Sequence, residues 1–390
     1  MIQVGIIGLG GISRTHIETY RKFSNRCRIV ALADTDTEKA ELKKNEGGFA
    51  ADVYDDYRKL LSHPNIDLVS VCTPPYTHAS ITQDALDAGK HVLCEKPMAS
   101  SLAECDAMLA AQARCGKILG IIAQNRYRNP TQKLKSILDS GRVGRILHSQ
   151  VNSYWWRGHS YYDLWWRGTW AKEGGGCTLN HAVHHIDLFQ WMMGMPEEVR
   201  AVMTNTAHDN AEVEDLSIAI LRYAKGSLAQ VTTSVVHHGE EQKIIFQTEK
   251  ARISFPWKIY ASLSRSNGFP DRNPKLENEI ETLYQNLPDL PYELYEGEFD
   301  DMFTAIETGR PVLVDGVEGR KTLELITAIY QAASTDTTVK LPLDSSSPFY
   351  TAEGMQKHTT HFYAKGASVE KFCDDRIIVG SSTDQKSDES

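Results

Sequence analysis

Short apolar runs alternate with polar stretches over residues 1–125. The runs at 2–7, 28–33, 67–72, 90–94 and 118–122 have strand length, and several are rich in Val and Ile. Amphipathic stretches of helix length, 36–45, 77–88 and 101–115, separate them. Continuous apolar strands that alternate with helices predict a parallel sheet covered on both faces, a doubly wound nucleotide-binding α/β domain. From about residue 145 the texture changes. Segments 145–155, 198–206, 214–223, 226–237 and 241–248 read as longer strands joined by turn signals such as Lys225-Gly226. A helical block is predicted over 175–193. Two later helices, near 297–309 and 316–334, are predicted to pack back on the first domain. The expected division is therefore a Rossmann domain over 1–125 and an α+β domain with a largely antiparallel open sheet over 126–345. A C-terminal extension follows over 346–380, and the polar residues 381–390 are predicted to be disordered.

Bulk composition narrows the function. A length of 390 residues, 41% hydrophobic and 24% charged, suits a protein of two or three domains with buried cores. A net charge of −9 without a basic run argues against nucleic-acid partners. No apolar run approaches the ~20 residues that span a bilayer, so no membrane partner is expected. Met1 leads straight into Ile2-Gln3-Val4-Gly5-Ile6-Ile7 with no basic leader. The seven cysteines form neither C-x-x-C pairs nor a disulfide framework. A cytoplasmic protein is expected.

Gly8-Leu9-Gly10-Gly11-Ile12-Ser13 follows the first strand and opens a helix. Gly8 permits the tight turn, and Gly10 lets backbone amides approach a pyrophosphate at the helix N-terminus. Ser13 stands where Gly or Ala is usual and is still small enough for close helix–strand packing. Asp34 ends the second apolar run, 21 residues beyond Ser13. An acid at that distance suits the adenosine ribose hydroxyls, although an Asp at a strand end is equally a common helix N-cap. Thr35 follows with no arginine to neutralise a 2′-phosphate, so NAD is expected rather than NADP.

Three further motifs stand in order: Cys72-Thr73-Pro74-Pro75-Tyr76-Thr77-His78, Glu95-Lys96-Pro97, and Gly174 through Asp187 with Asn180 and His184. With the glycine turn they make residues 1–345 resemble the glucose–fructose oxidoreductase / inositol dehydrogenase / rhizopine catabolism (Gfo/Idh/MocA) family. The resemblance implies an NAD-dependent oxidoreductase acting on CH–OH groups, with Lys96 and His184 flanking the nicotinamide and the reacting carbinol. It implies a cis peptide before Pro97. It assigns Gly8, Gly10, Gly11, Ile12, Asp34, Thr73, Pro74, His78, Glu95, Lys96 and Gln124 to the cofactor. A homodimer or homotetramer is implied too, because open sheets in this family commonly pair across subunits.

The chemistry agrees with those roles. A neutral imidazole suits removal of a hydroxyl proton, and a lysine ammonium can stabilise the developing alkoxide. The chain departs from the family's commonest form at Asn180, where many members carry Asp, and at Ala182, frequently Gly. Four residues apart, Asn180 and His184 are expected on one helical face. Asparagine orients hydroxyls but cannot raise the basicity of His184. His181, His184, His185 and Asp187 also lie at helical spacings that could pair two ligands. Neither a zincin pattern nor a cysteine pair accompanies them, and no metal is expected.

Residues 154–170 hold five of the seven tryptophans. Tyr154, Arg157, Trp165, Arg167 and Trp170 are candidate substrate contacts beside Lys96, Arg126, Asn180 and His184, since aromatic faces stack on sugar rings and arginines bond hydroxyls. A domain seam or oligomer contact would use the same residues. The aromatic stretch 348–366 extends past the usual family end, to cover the active site or dock on another subunit. The expected substrate is a small carbohydrate or cyclitol oxidised at a ring secondary alcohol, with carbon 3 of a glucoside as one form. A glycoside lyase or hydrolase cycling a tightly held NAD, and a non-catalytic nucleotide-gated sugar sensor, are the alternatives.

Overall fold

The computed structural model describes residues 1–366 and 368–370, so the stretch 381–390 and much of 367–380 lie outside the described residues. The chain forms two compact units. The first takes Met1–Tyr127 and Leu290–Leu323, the second Arg128–Asp289 and the residues from Glu324 onward.

In the first unit, six strands among the described residues form one sheet: β1 (Ile2–Ile7), β2 (Cys27–Ala33), β3 (Asp52–Tyr54), β4 (Leu68–Val71), β5 (His91–Cys94) and β6 (Leu119–Ile121). Their order is β3-β2-β1-β4-β5-β6, and each pairing is parallel. The strands read from sequence agree within two residues. Only β3 escapes the pattern, being three residues long and partly exposed. Helices flank the strands, and a late helix, Leu294–Thr308, completes the core. Its Phe299, Met302 and Phe303 join Ile6, Leu9, Tyr20 and Leu93 in one buried cluster. Tyr20 and Phe299 approach to 4.6 Å between ring centres, and Arg26 pairs with Asp300 at 2.5 Å and Glu307 at 2.7 Å.

In the second unit, nine strands among the described residues form a mixed sheet: β7 (Ile146–Trp156), β8 (Glu198–Thr204), β9 (Leu216–Arg222), β10 (Leu228–Ser234), β11 (Val236–Thr248), β12 (Ala251–Phe255), β13 (Lys258–Ser264), β14 (Pro270–Arg272) and β15 (Val339–Lys340). The order is β14-β13-β12-β11-β7-β10-β9-β8-β15. Pairings are antiparallel except for β10 against β7, which is parallel. Alternation sends Ala219, Leu221, Val231 and Ile244 to the buried face. Ile218, opposite Val202, and Ile220, opposite Arg200, fall on the other face.

The block predicted as one helix over 175–193 is two: Cys177–Asn180 and Val183–Met193. The Ala182 amide reaches back five residues to the Cys177 carbonyl at 2.9 Å. That inserts a widened turn at His181–Ala182. Four-residue spacing therefore no longer fixes Asn180 and His184 to one continuous helical face. Helices Asn129–Asp139 and Pro274–Asn286 and the strands β12–β14 lie where no element was predicted.

Candidate active site

A doubly wound sheet opens a crevice at the carboxyl ends of its strands where the strand order reverses. Here that point lies between β1 and β4. Gly8 follows β1, Cys72-Thr73 follows β4 and Glu95-Lys96 follows β5, so three of the motifs gather at one edge of the first unit.

The glycine turn is fitted closely. Gly8 has φ +88°, and a Cβ there would stand 2.7 Å from Thr73 Cγ2 and 2.8 Å from the Cys72 carbonyl carbon. Around Gly10 a Cβ would meet nothing within 4 Å. Asp34 accepts from the Leu9 amide through Oδ2 at 2.6 Å and from the Asp36 amide through Oδ1 at 3.0 Å, while Lys39 Nζ lies 3.3 Å from Oδ2. The helix N-cap is Asp36, which accepts from the Lys39 amide, not Asp34. Asp34 instead ties the second strand's end to the glycine turn. Gly11 is exposed, Ile12 half-buried and Pro74 exposed. Gln124, after β6, buries its Oε1 without a hydrogen-bond partner. The bare space at Gly10, the tight turn and that orphaned acceptor fit a dinucleotide.

Glu95 and His78 are framework rather than direct contacts. His78 is 1% exposed, with Nδ1 2.8 Å from the Pro97 carbonyl and Nε2 2.8 Å from the Thr73 carbonyl. It brackets the β4 loop to the β5 loop. Burial holds its imidazole below the usual pKa, against the pull of both carbonyls. Glu95 accepts from His16 Nε2 at 3.0 Å and Tyr295 Oη at 3.1 Å through Oε1, and from the Lys96 amide at 3.1 Å through Oε2. Ser70 Oγ lies 3.1 Å from His16 Nδ1 and 2.5 Å from Tyr20 Oη. The one neutral tautomer that satisfies this chain has Nε2 protonated, donating to Glu95, with Nδ1 accepting from Ser70. Burial pushes the Glu95 carboxyl up, but the His16 bond and the nearby charges outweigh it and hold it below the usual range. Lys96 itself is half-buried, and its peptide to Pro97 is cis.

Arg126 does not stand open to a substrate. Its side chain is fully buried, and Nη1 pairs with Glu318 at 2.9 Å. A buried guanidinium needs such a partner, and this one fixes Arg126 as framework of the first unit.

In the second unit, Asn180 and His184 are both half-buried. Asn180 Nδ2 donates to the Gly175 carbonyl at 2.8 Å and, weakly, to that of Gly176 at 3.4 Å. Two carbonyl neighbours fix the amide's orientation, leaving Oδ1 turned away from them. The turn before Asn180 hangs on Glu214, a fully buried carboxylate that no motif picked out. Its oxygens accept from the Gly176 amide at 3.1 Å, the Thr178 amide at 2.9 Å and Tyr330 Oη at 3.0 Å. A Cβ on Gly176 would fall 2.0 Å from the Glu214 carbonyl oxygen. Burial pushes the Glu214 carboxyl up to about 6.

The histidines of that motif part ways. His185 packs into the core, with Nδ1 2.9 Å from Ser153 Oγ, and burial pushes it down to about 4. His181 lies 5.5 Å from the Tyr161 ring and 6.1 Å from Trp155. Among the described residues no group of three or more His, Cys, Asp or Glu could hold a metal ion. In the aromatic segment, Tyr154 stacks on His237 at 4.2 Å, and Trp165 is 45% exposed. Arg157 pairs with Glu240 at 2.8 Å, and Arg167 with Glu173 at 3.0 Å and with the Tyr161 hydroxyl. Trp170 is buried, its Nε1 donating to the Thr360 carbonyl at 3.2 Å.

A family model described as "Oxidoreductase family, NAD-binding Rossmann fold" matches residues 2–122, and the GFO/IDH/MocA C-terminal domain matches residues 131–254. The chain belongs to the Gfo/Idh/MocA oxidoreductase family. Its first unit is accordingly an NAD-binding Rossmann domain. Within the family, the myo-inositol 2-dehydrogenase of Thermotoga maritima is 26% identical over 345 residues, 87% of this chain and 98% of that one. The D-glucoside 3-dehydrogenase of Escherichia coli is 27% identical over 364 residues, 87% and 97% of the two chains. The solved WlbA dehydrogenase of Bordetella pertussis, in complex with NADH and UDP-GlcNAcA, superposes with TM-score 0.75 at 28% identity, covering 88% of this chain and 98% of that one.

Proposed function

We propose that this chain oxidises a ring secondary alcohol of a sugar, cyclitol or glycoside by hydride transfer to NAD. What carries the reading is the gathering, at the switch point of the first unit's sheet, of a dinucleotide turn and a lysine whose backbone is held by a buried carboxylate. When bound, NAD supplies the nicotinamide that accepts the hydride. Gly8, Gly10, Gly11 and Ile12 would hold its pyrophosphate, Asp34 its adenosine ribose, and Thr73, Pro74 and Gln124 the nicotinamide half. Lys96 donates to the carbinol oxygen and stabilises negative charge as it develops there. His184, as a neutral imidazole, takes the hydroxyl proton. Asn180 turns Oδ1 toward a neighbouring hydroxyl.

On the substrate side, Arg157 and Arg167 are already neutralised by Glu240 and Glu173, which suits hydroxyl recognition. Exposed Trp165 offers a stacking face. Oxidation at carbon 3 of a glucoside is the narrower form, supported by similarity to the D-glucoside 3-dehydrogenase. The chain works as a homodimer or homotetramer, in the cytoplasm. Among the described residues no helix is long and apolar enough to cross a membrane.

The test is nicotinamide absorbance on mixing the protein with NAD and a panel of hexoses, inositols, aryl glucosides and sugar acids. NADH is expected with one class. Lys96→Met and His184→Ala each lower kcat by about 100-fold or more while NAD still binds. Glycoside consumed without net NADH would replace this reading with the redox-cycling lyase.

A further inference from the structure

Residues 157–176 form a 20-residue connection whose regular structure is one short turn, His159–Asp163. A loop that long in a compact unit needs outside partners for its backbone groups. Much of what it uses comes from the far end of the chain. The Val369 amide donates to the Asp163 carbonyl at 2.8 Å, and the Trp165 amide donates to the Val369 carbonyl at 3.0 Å. Lys365 Nζ donates to the Tyr162 carbonyl, and the Thr360 carbonyl receives Trp170 Nε1.

Glu212 is the layer between. Its amide donates to the Gly168 carbonyl at 2.7 Å, its carboxylate accepts from the Trp170 amide at 3.1 Å, and its carbonyl accepts from the Phe362 amide at 3.0 Å. Upstream the extension is anchored by buried Phe349 and Met355, by Ser347 Oγ on Gln331 at 2.9 Å and by the Thr360 amide on Ser334 Oγ at 3.1 Å. The segment carrying Trp165, Trp166, Arg167 and Trp170 is thus bonded both to Glu212 and to residues 360–366 and 368–369.

We propose that residues 360–366 and 368–369 are a specificity-setting strap: they fix the aromatic segment's shape and so decide which substituent beyond the reacting ring the enzyme accepts. The inference rests on the proposed alcohol oxidation. Phe362 and Lys365 are positioning residues, acting through Glu212 and Tyr162 on the aromatic segment.

The test compares Phe362→Pro, which removes the amide donor, with Phe362→Ala, which keeps it, and adds Lys365→Met as a milder change. For aryl glucosides, Phe362→Pro and Lys365→Met are expected to raise KM about tenfold, equivalent to about 1.4 kcal/mol. kcat on a free hexose or inositol, and the NADH dissociation constant by fluorescence titration, stay within twofold. Phe362→Ala restores the parent KM. Equal losses on every substrate, or none on aryl glucosides, overturn the strap. If the parent protein oxidises nothing, the functional reading fails by itself, and hydrogen exchange then decides. Faster exchange at the 162–170 amides in Phe362→Pro and Lys365→Met, with the β1 amides unchanged, supports the strap; unchanged exchange at 162–170 overturns it.

Discussion

Burial pushes the Glu214 carboxyl up to about 6 although three donors converge on it. Its ordinary value is 4.5, so the folded protein binds a proton there more tightly than the unfolded chain. The resulting stabilisation is complete below the unfolded value and lost as pH rises through about 6, a difference of about 2 kcal/mol. Glu214→Gln should flatten that part of the stability–pH curve, measured by urea unfolding at intervals from pH 4 to 7. Glu95 has the opposite sign. Its carboxyl is held below the usual range, so its contribution is present at neutral pH and lost only as pH falls through that lowered value. His16→Ala removes the buried donor and leaves the desolvation cost less opposed. It should cost about 2–4 kcal/mol at pH 7, and acid unfolding should begin at higher pH.

At the scale of elements, the interrupted helix at His181–Ala182 matters most. The first-turn amides of any helix have no partner within the helix. This one leaves the first turn to a carboxylate from the start of the 214–222 strand region, and Gly176 is where the two backbones meet. An alanine there must displace one of them. Gly176→Ala should lower kcat more than tenfold with NADH affinity unchanged, since the change falls in the second unit and the dinucleotide turn lies in the first. The sequence pattern located the block and its ends because apolar periodicity is local. It could not locate the carboxylate that holds the first turn, because Glu214 stands 36 residues from Thr178 and carries no local mark.

At the scale of the whole molecule, the open sheet leaves Val202, Ile218, Ile220 and Leu228 exposed on one face, at 62%, 39%, 56% and 44%. Cross-strand pairing puts Val202 beside Ile218, so the patch is contiguous across β8 and β9. That is more apolar surface than isolated side chains would present, and it supports the proposed homo-oligomer. Ile220→Lys should shift the protein toward monomer, read by light scattering after size-exclusion chromatography. A parent protein that already runs as a monomer would set the oligomer aside.

Much of this molecule is written in local order. Short apolar strands alternating with helices dictate a parallel sheet, because strands covered on both faces have no polar side to show. A glycine turn between strand and helix dictates an anion cradle, and Asp34, 21 residues past Ser13, follows from the length of one helix and one strand. Lys96, Asn180 and His184 were singled out through the motifs that resemble the family's, and their roles are those proposed above. Tertiary structure alone decided which of the singled-out residues are held as framework. It buried Arg126 against Glu318 and turned Glu95 and His78 into framework. It also recruited His16, Tyr295 and Glu214, and laid Thr360, Phe362, Lys365 and Val369 against an aromatic loop and its neighbours some 150–200 residues earlier. The physical reason is that a buried polar group must find a partner, and the chain supplies that partner from whatever distance the packing brings close.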